Sequence, residues 1–281
     1  MERSVFTMEE VKFSLQPKST VSFKKLNMTY LTLWTVVVVN FAGIISVLYA
    51  MLANVTTESL SKIASTGDTI SALKTTFFSI IISVSIVCII GIPVAYMLAT
   101  HKGFFYNLIE VITFIPLILP PSVAGLALLM TFGKHGIIGE KLSQWGIQLP
   151  FTFFAIVIVQ VFICMPFFIQ IVKNGFDAVE TEIIEAAKVF GAGDGILLYK
   201  FYIPVNIKAI FAGIILCCLR AAGEFGATIM FAGNMVGKTQ TITTRIFSLY
   251  QYDVMQAVAL AVIQLFVLLI PLLLLKLFFK H

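Results

Sequence analysis

Arg220 and Glu224 stand four residues apart in Arg220-Ala221-Ala222-Gly223-Glu224-Phe225-Gly226-Ala227-Thr228, inside an otherwise apolar run. On one helix that spacing puts both side chains on the same face. A charge in hydrocarbon is costly enough to require a partner or a polar interior. Two readings stand. The pair is neutralised glue between helices, with Gly223 and Gly226 permitting close approach, or it belongs to a gate where Arg220 also meets an anion. No other residues assemble a reaction centre. His101, His135 and His281 are far apart, and no H-E-x-x-H, G-x-S-x-G, intramembrane carboxylate pair or P-loop is present. No catalytic residue and no metal ligand is therefore assigned. Any ATP-driven step must draw its nucleotide site from another polypeptide. Cys88, Cys164, Cys217 and Cys218 all fall in apolar runs without C-x-x-C spacing, which predicts small apolar fillers and no disulfide.

A second constellation lies in the charged island 173–205, between two apolar runs. Phe176 to Phe190 reads as an amphipathic helix with Phe176, Val179, Ile183, Ala187 and Phe190 on one stripe. Asp177, Thr181, Glu185 and Lys188 lie opposite. Gly191 ends it by taking the left-handed conformation. Asp194 is expected to cap a second short helix, which Pro204 stops. The product is an elbow across one mouth of the molecule, either resting on lipid headgroups or docking a soluble partner. Asp177, Glu180, Glu182 and Glu185 would face an anionic leaflet with only Lys173 and Lys188 to compensate, which favours docking.

The elements that position these residues must be membrane helices. Hydrophobic residues make up 59% of the 281 and charged residues 12%, with mean hydropathy +1.00, more apolar surface than one soluble core hides. The net charge of +5 is not gathered on one face, which argues against nucleic acid. Six apolar runs, at roughly 31–53, 72–99, 108–132, 151–172, 206–232 and 256–278, predict an all-α integral membrane bundle of about six transmembrane helices. The first run is too long for a cleavable signal and reads as a signal anchor behind a polar arm, 1–26. The rest, 27–281, reads as a single transmembrane domain. With the N-terminus inside, only Lys62, Lys74, Lys134, Lys141, Lys238 and Arg245 fall outside, so both termini are expected in the cytoplasm. That places the 173–205 loop inside and the Gly-rich loop 233–254 outside. Pro93, Pro116, Pro120, Pro121 and Pro166 sit within spans and should kink them. The third span should break and turn inward at Pro116-x-x-x-Pro120-Pro121-x-x-x-Gly125, or the kinks serve packing alone.

Glu185-Ala186-Ala187-x3-Gly191-x9-Phe201-x-Ile203-Pro204 resembles the EAA loop of ABC importer permeases, with Phe-x-Ile-Pro in place of the family's usual Ile-x-Leu-Pro. The run from Arg220 to Thr228, continuing through Met230-Phe231-Ala232-Gly233-Asn234, is similar to the molybdate branch of the molybdate/sulfate permeases. Pro116 to Gly125 and Gly91-Ile92-Pro93-Val94-Ala95-Tyr96 are similar to further segments of that family, and the likeness covers roughly 70–270. The resemblance implies a type I ABC importer permease fold in the plasma membrane. It implies a second copy of the chain, a dimer of ATPase subunits that bind ATP and Mg, and an extracytoplasmic oxyanion-binding protein, with no cofactor in this chain. It assigns ATPase coupling to Glu185, Ala186, Ala187, Gly191, Phe201, Ile203 and Pro204. It assigns the gate and pathway to Pro120, Pro121, Ser122, Gly125, Arg220, Gly223, Glu224, Phe225, Gly226 and Thr228. Sulfate, thiosulfate or tungstate are the alternative cargoes. A membrane scaffold that recruits a soluble partner without transport is the alternative class.

Overall fold

The computed structural model describes residues 23–279. Most of the polar arm, with Lys280 and His281, lies outside the described residues. Every regular element among the described residues is helical. α1 (Phe23–Ala53) belongs to a unit of its own that ends at Ala53. Its stretch Met28–Ala53 is long and apolar enough to cross a bilayer, and no described residue of it is buried. The hydroxyls of Thr32, Thr35 and Ser46 donate back to the carbonyls of Thr29, Leu31 and Gly43, which satisfies each donor without a partner helix.

The second unit runs from Asn54. It opens with α2 (Thr57–Ala64) and α3 (Gly67–Thr100), followed by α4 (Phe104–Ile118), α5 (Pro121–Phe132) and the short α6 (Gly139–Gln144). α7 (Phe153–Asp177) leads to the elbow, made of α8 (Thr181–Val189), α9 (Asp194–Leu197), a π-helical turn (Leu198–Tyr202) and α10 (Ile203–Val205). α11 (Ile207–Ala222), α12 (Gly226–Phe231), α13 (Ile242–Tyr250) and α14 (Val254–Phe279) complete the chain. α1, α3, α7 and α14 are each long and apolar enough to span, and two bent pairs bring the total to as many as six.

Those bends have local causes. α4 and α5 meet at 114°. Leu119 (ψ 129°) and Pro120 (ψ 138°) are extended, as a residue preceding proline prefers to be. Pro121 then opens α5, where its missing N–H costs nothing. The expected break of the third span is therefore present, whereas Pro93 and Pro166 stay inside continuous helices. The elbow and α11 meet at 75°, at Asn206, whose carboxamide donates to the Tyr202 carbonyl at 3.0 Å. The fifth run is not one continuous helix, because α11 stops at Ala222 and α12 is separate. The loop expected over 233–254 contains the helix α13.

The bundle is built on α3 and α7. The Phe168 ring of α7 lies between two glycines: a Cβ on Gly91 of α3 would come 2.6 Å from it, and one on Gly213 of α11 2.9 Å. Midway along the pair, Gln160 accepts from Ser83 at 3.0 Å and donates to Ser79 at 3.1 Å, all three buried. Gln160 is polar in an apolar span, so its neighbours must supply what lipid does not.

Candidate functional site

The elbow is built as two helices around one left-handed residue. Gly191 has φ +84°. Its N–H donates to Lys188 O at 2.9 Å and that of Ala192 to Ala187 O at 3.0 Å, the paired bonds of a Schellman end. The single helix expected over Phe176–Phe190 is instead two, since α7 runs to Asp177 and α8 starts at Thr181. The buried stripe shifts accordingly. Ile184 and Ala187 face the bundle, while Ile183 is 45% and Phe190 92% exposed. Glu185 and Ala186 are exposed beside them, as is Pro204, and Phe201 and Ile203 are half-buried. Val189 and Phe190 thus form an apolar edge at the tip of a charged helix.

Asp194 does not cap α9, which has no side-chain cap. Its carboxylate instead accepts the hydroxyl of Tyr96, from the end of α3, at 3.0 Å. The Tyr96 ring stands edge-on to Tyr202 (5.2 Å), and Tyr202 to Phe176 (5.4 Å). A mixed cleft of about 240 Å³ lies between α3 and the elbow, lined in part by Thr100, His101, Glu185, Lys188 and Asp194. Lys173 fixes the root of the elbow with ion pairs to Asp177 (3.1 Å) and Glu110 (3.2 Å). Gly175 lets the joint close, because a Cβ there would meet Asn206 Oδ1 at 2.9 Å.

The second site is a crossing of α5 and α12. A Cβ on Gly125 would lie 2.7 Å from Ala227 Cα, and one on Gly226 2.9 Å from Pro121 Cβ, so the two backbones touch where larger residues would part them. The Arg220–Glu224 pair forms, Nη1 to Oε2 at 2.7 Å, but not on one helix. α11 ends at Ala222, and Glu224 lies in the gap before α12. Its other oxygen accepts from the Ala227 N–H at 2.9 Å, so the same carboxylate neutralises Arg220 and starts the next helix. The Glu224 side chain is 2% exposed and that of Arg220 33%. Two carbonyls freed by the gap are taken up: Ala222 O by Gln264 Nε2 (2.9 Å) and Glu224 O by the Thr243 hydroxyl (2.8 Å). The Phe225 ring meets that of Phe247 at 5.0 Å, tilted by 49°, and Gly223 is exposed. Pro120 and Ser122 are exposed beside the break, where a small cavity of about 120 Å³ is lined by Pro116, Pro121, Phe167 and Arg220 among others. Thr228 is buried, and its hydroxyl is without a partner among the described residues.

One cation of consequence has no signal in the sequence. Arg245 of α13 is buried, and its guanidinium donates to Thr69 (3.0 Å), Thr66 (3.3 Å) and Gln240 (3.3 Å), with Asp68 at 3.4 Å. The Ile242 N–H donates to Thr76 at 3.0 Å. α13 is therefore tied to the start of α3. The elbow holds the opposite end of that helix, with roughly 30 Å of helix between Thr76 and Tyr96 at 1.5 Å per residue. No group of three His, Cys, Asp or Glu side chains able to hold a metal occurs among the described residues.

Residues 91–280 match the family model of the binding-protein-dependent transport system inner membrane component. The chain is 38% identical over 197 residues to the probable transport system permease protein NifC of Clostridium pasteurianum, covering 70% of this chain and 69% of that one. It is 36% identical over 181 residues to the putative molybdenum transport system permease protein YvgM of Bacillus subtilis, covering 61% and 79%. A bacterial ABC transporter involved in import of the acidic polysaccharide alginate shares the fold, with TM-score 0.70 at 13% identity over 90% of this chain and 98% of that one. The chain belongs to the family of inner membrane components of binding-protein-dependent transport systems, with the fold of an ABC transporter permease.

Proposed function

We propose that this chain is the permease subunit of an importer for a tetrahedral oxyanion, molybdate first, paired with a second copy of itself. ATP and Mg are bound by a separate ATPase dimer, and an extracytoplasmic binding protein delivers the anion. The observation that carries the reading is the elbow, which holds Glu185, Ala186 and the apolar edge Val189–Phe190 exposed while Ile184 and Ala187 anchor it. A helix end that presents carboxylates and a bare aromatic fits a cleft on a soluble protein better than a lipid headgroup layer. In this reading the termini and the elbow are cytoplasmic.

Closure of the motor on ATP pulls the elbow, and the movement parts the crossing of Gly125 and Gly226. Glu224 already neutralises Arg220, so the pathway carries little fixed positive charge. A dianion held tightly there could not leave, so weak binding suits passage and selectivity falls to the binding protein. The likeness to the putative molybdenum transport permease of Bacillus subtilis supports molybdenum as the cargo. The test is ATP hydrolysis by the reconstituted complex with its binding protein. Molybdate should stimulate it and sulfate should do so less. A complex that forms yet hydrolyses ATP at one rate with and without any oxyanion would defeat the importer reading.

A further inference from the structure

The elbow continues directly into α11, yet that route is soft. It passes through a π-helical turn and a 75° bend at Asn206, where an applied displacement is absorbed by rotation rather than passed on. A stiffer route runs beside it. α3 is unbroken from Gly67 to Thr100 and is braced along α7 by the Gln160 bonds to Ser79 and Ser83. At one end Tyr96, buried, donates its hydroxyl to Asp194 of the elbow. At the other, Thr69 and Thr76 hold α13 through Arg245 and the Ile242 N–H. The next residue, Thr243, donates to the carbonyl of Glu224, the residue that joins α11 to α12.

We propose that α3 is a connecting rod that carries the elbow's movement to the crossing of α5 and α12, with Tyr96 and Thr243 as positioning residues at its two ends. This rests on the importer reading above and adds the route to it. The Tyr96 hydroxyl is spent on Asp194 rather than on lipid or on its own helix. The far end of the same helix is held through groups that reach the gate in one further hydrogen bond. An element tied at both ends transmits displacement along its axis, and α3 does so beside α7, which enters the elbow at Asp177, and the bent joint at Asn206.

The experiment uses the full transporter with its ATPase, carrying Ser122→Cys beside the crossing, and reads maleimide labelling of that cysteine with and without ATP. The ATP-dependent change should fall in Tyr96→Phe and in Thr243→Val, by roughly 2- to 30-fold, the span such couplings cover. The double variant should be no worse than the worse single, because both cut one line. Asp194→Asn, which keeps an acceptor for the phenol, should behave as the parent. Rates of ATP hydrolysis should stay within the parent's range, which separates lost transmission from a misfolded elbow. If the parent responds to ATP and both single variants respond equally, the rod is overturned while the importer reading stands. If the two changes multiply independently, the rod is also overturned. If the parent itself shows no ATP-dependent change, the importer reading fails and takes the rod with it.

Discussion

Glu224 lies 2.7 Å from Arg220 through one carboxylate oxygen, while its other oxygen holds the first turn of α12. Removing Glu224 alone therefore does two kinds of damage, stranding a cation and uncapping a helix. Breaking a buried pair from one side costs about 3–5 kcal/mol, and the one-third exposure of Arg220 puts the cost near or below the lower end. Glu224→Ala should lower the unfolding midpoint more than the double change Arg220→Ala with Glu224→Ala. Equal midpoints for the two variants would show that the pair is not desolvated.

Gly191 is a backbone requirement rather than a packing one, with φ +84° and nothing within 4 Å of an added Cβ. Substitutions should therefore rank by tolerance of the left-handed region, Asn better than Ala and Ala better than Val. A non-glycine residue held there costs about 1–3 kcal/mol. ATP hydrolysed per anion imported should rise in that order, and a Val variant with normal uptake would remove the elbow from the coupling mechanism.

Gly125 poses the opposite case, since its added Cβ would meet the Ala227 backbone at 2.7 Å. Gly125→Ala should destabilise by about 1–3 kcal/mol, the usual effect of overpacking, and leave the crossing ajar. Gly67→Ala at the start of α3, where an added Cβ meets nothing within 4 Å, is the matched control and should not destabilise. Thermal unfolding in detergent reads both, and an unaltered Gly125→Ala would mean the two backbones separate freely.

Thr228 carries a buried hydroxyl with no partner among the described residues. Thr228→Val should leave stability unchanged or raise it by about 1 kcal/mol, because an unpaired group is replaced by an apolar one. A destabilised Val variant would show that the hydroxyl is bonded after all.

Asp253 at the start of α14 accepts from the Gln256 N–H (3.1 Å) and carboxamide (2.7 Å). The backbone hydrogen bond from Gln256, more than any other cause, holds its carboxyl below the usual carboxylate range. A depressed carboxyl stabilises the fold above the unfolded-state pKa, and the effect is lost as pH falls through the folded value. The difference in unfolding midpoint between the parent and Asp253→Ala should therefore shrink on going from neutral pH to below about pH 4. A gap that widened in acid would contradict the cap.

The left-handed turn of the elbow and the broken third span were legible because glycine and proline each act on their own backbone: Gly191 sets a left-handed φ, and Pro120-Pro121 forbids a straight third span. Pro204, by contrast, lies inside α10 instead of stopping the helix, which breaks at Asn206. What stayed hidden was decided by distant residues. Asp194 carries a local capping signal, but a phenol 98 residues away claims its carboxylate. Arg245 reads as a solvated loop cation, and its hydroxyl partners lie 176 and 179 residues away. The break after Ala222 has no local signal, because the spacing suggests one helix, whereas Glu224 spends its second oxygen on a new one. Gln160 was open to anticipation, since a carboxamide in an apolar span must find partners.

Phe168 is clasped between Gly91 and Gly213, one from each neighbouring helix. A ring seated in two notches acts as a key: α3, α7 and α11 cannot slip lengthwise past one another at that level without expelling it. Whatever travels during a transport cycle, α3 travels with α7 and α11 at this level, so a pull received at Tyr96 is shared by all three and the give has to come from the joints at their margins.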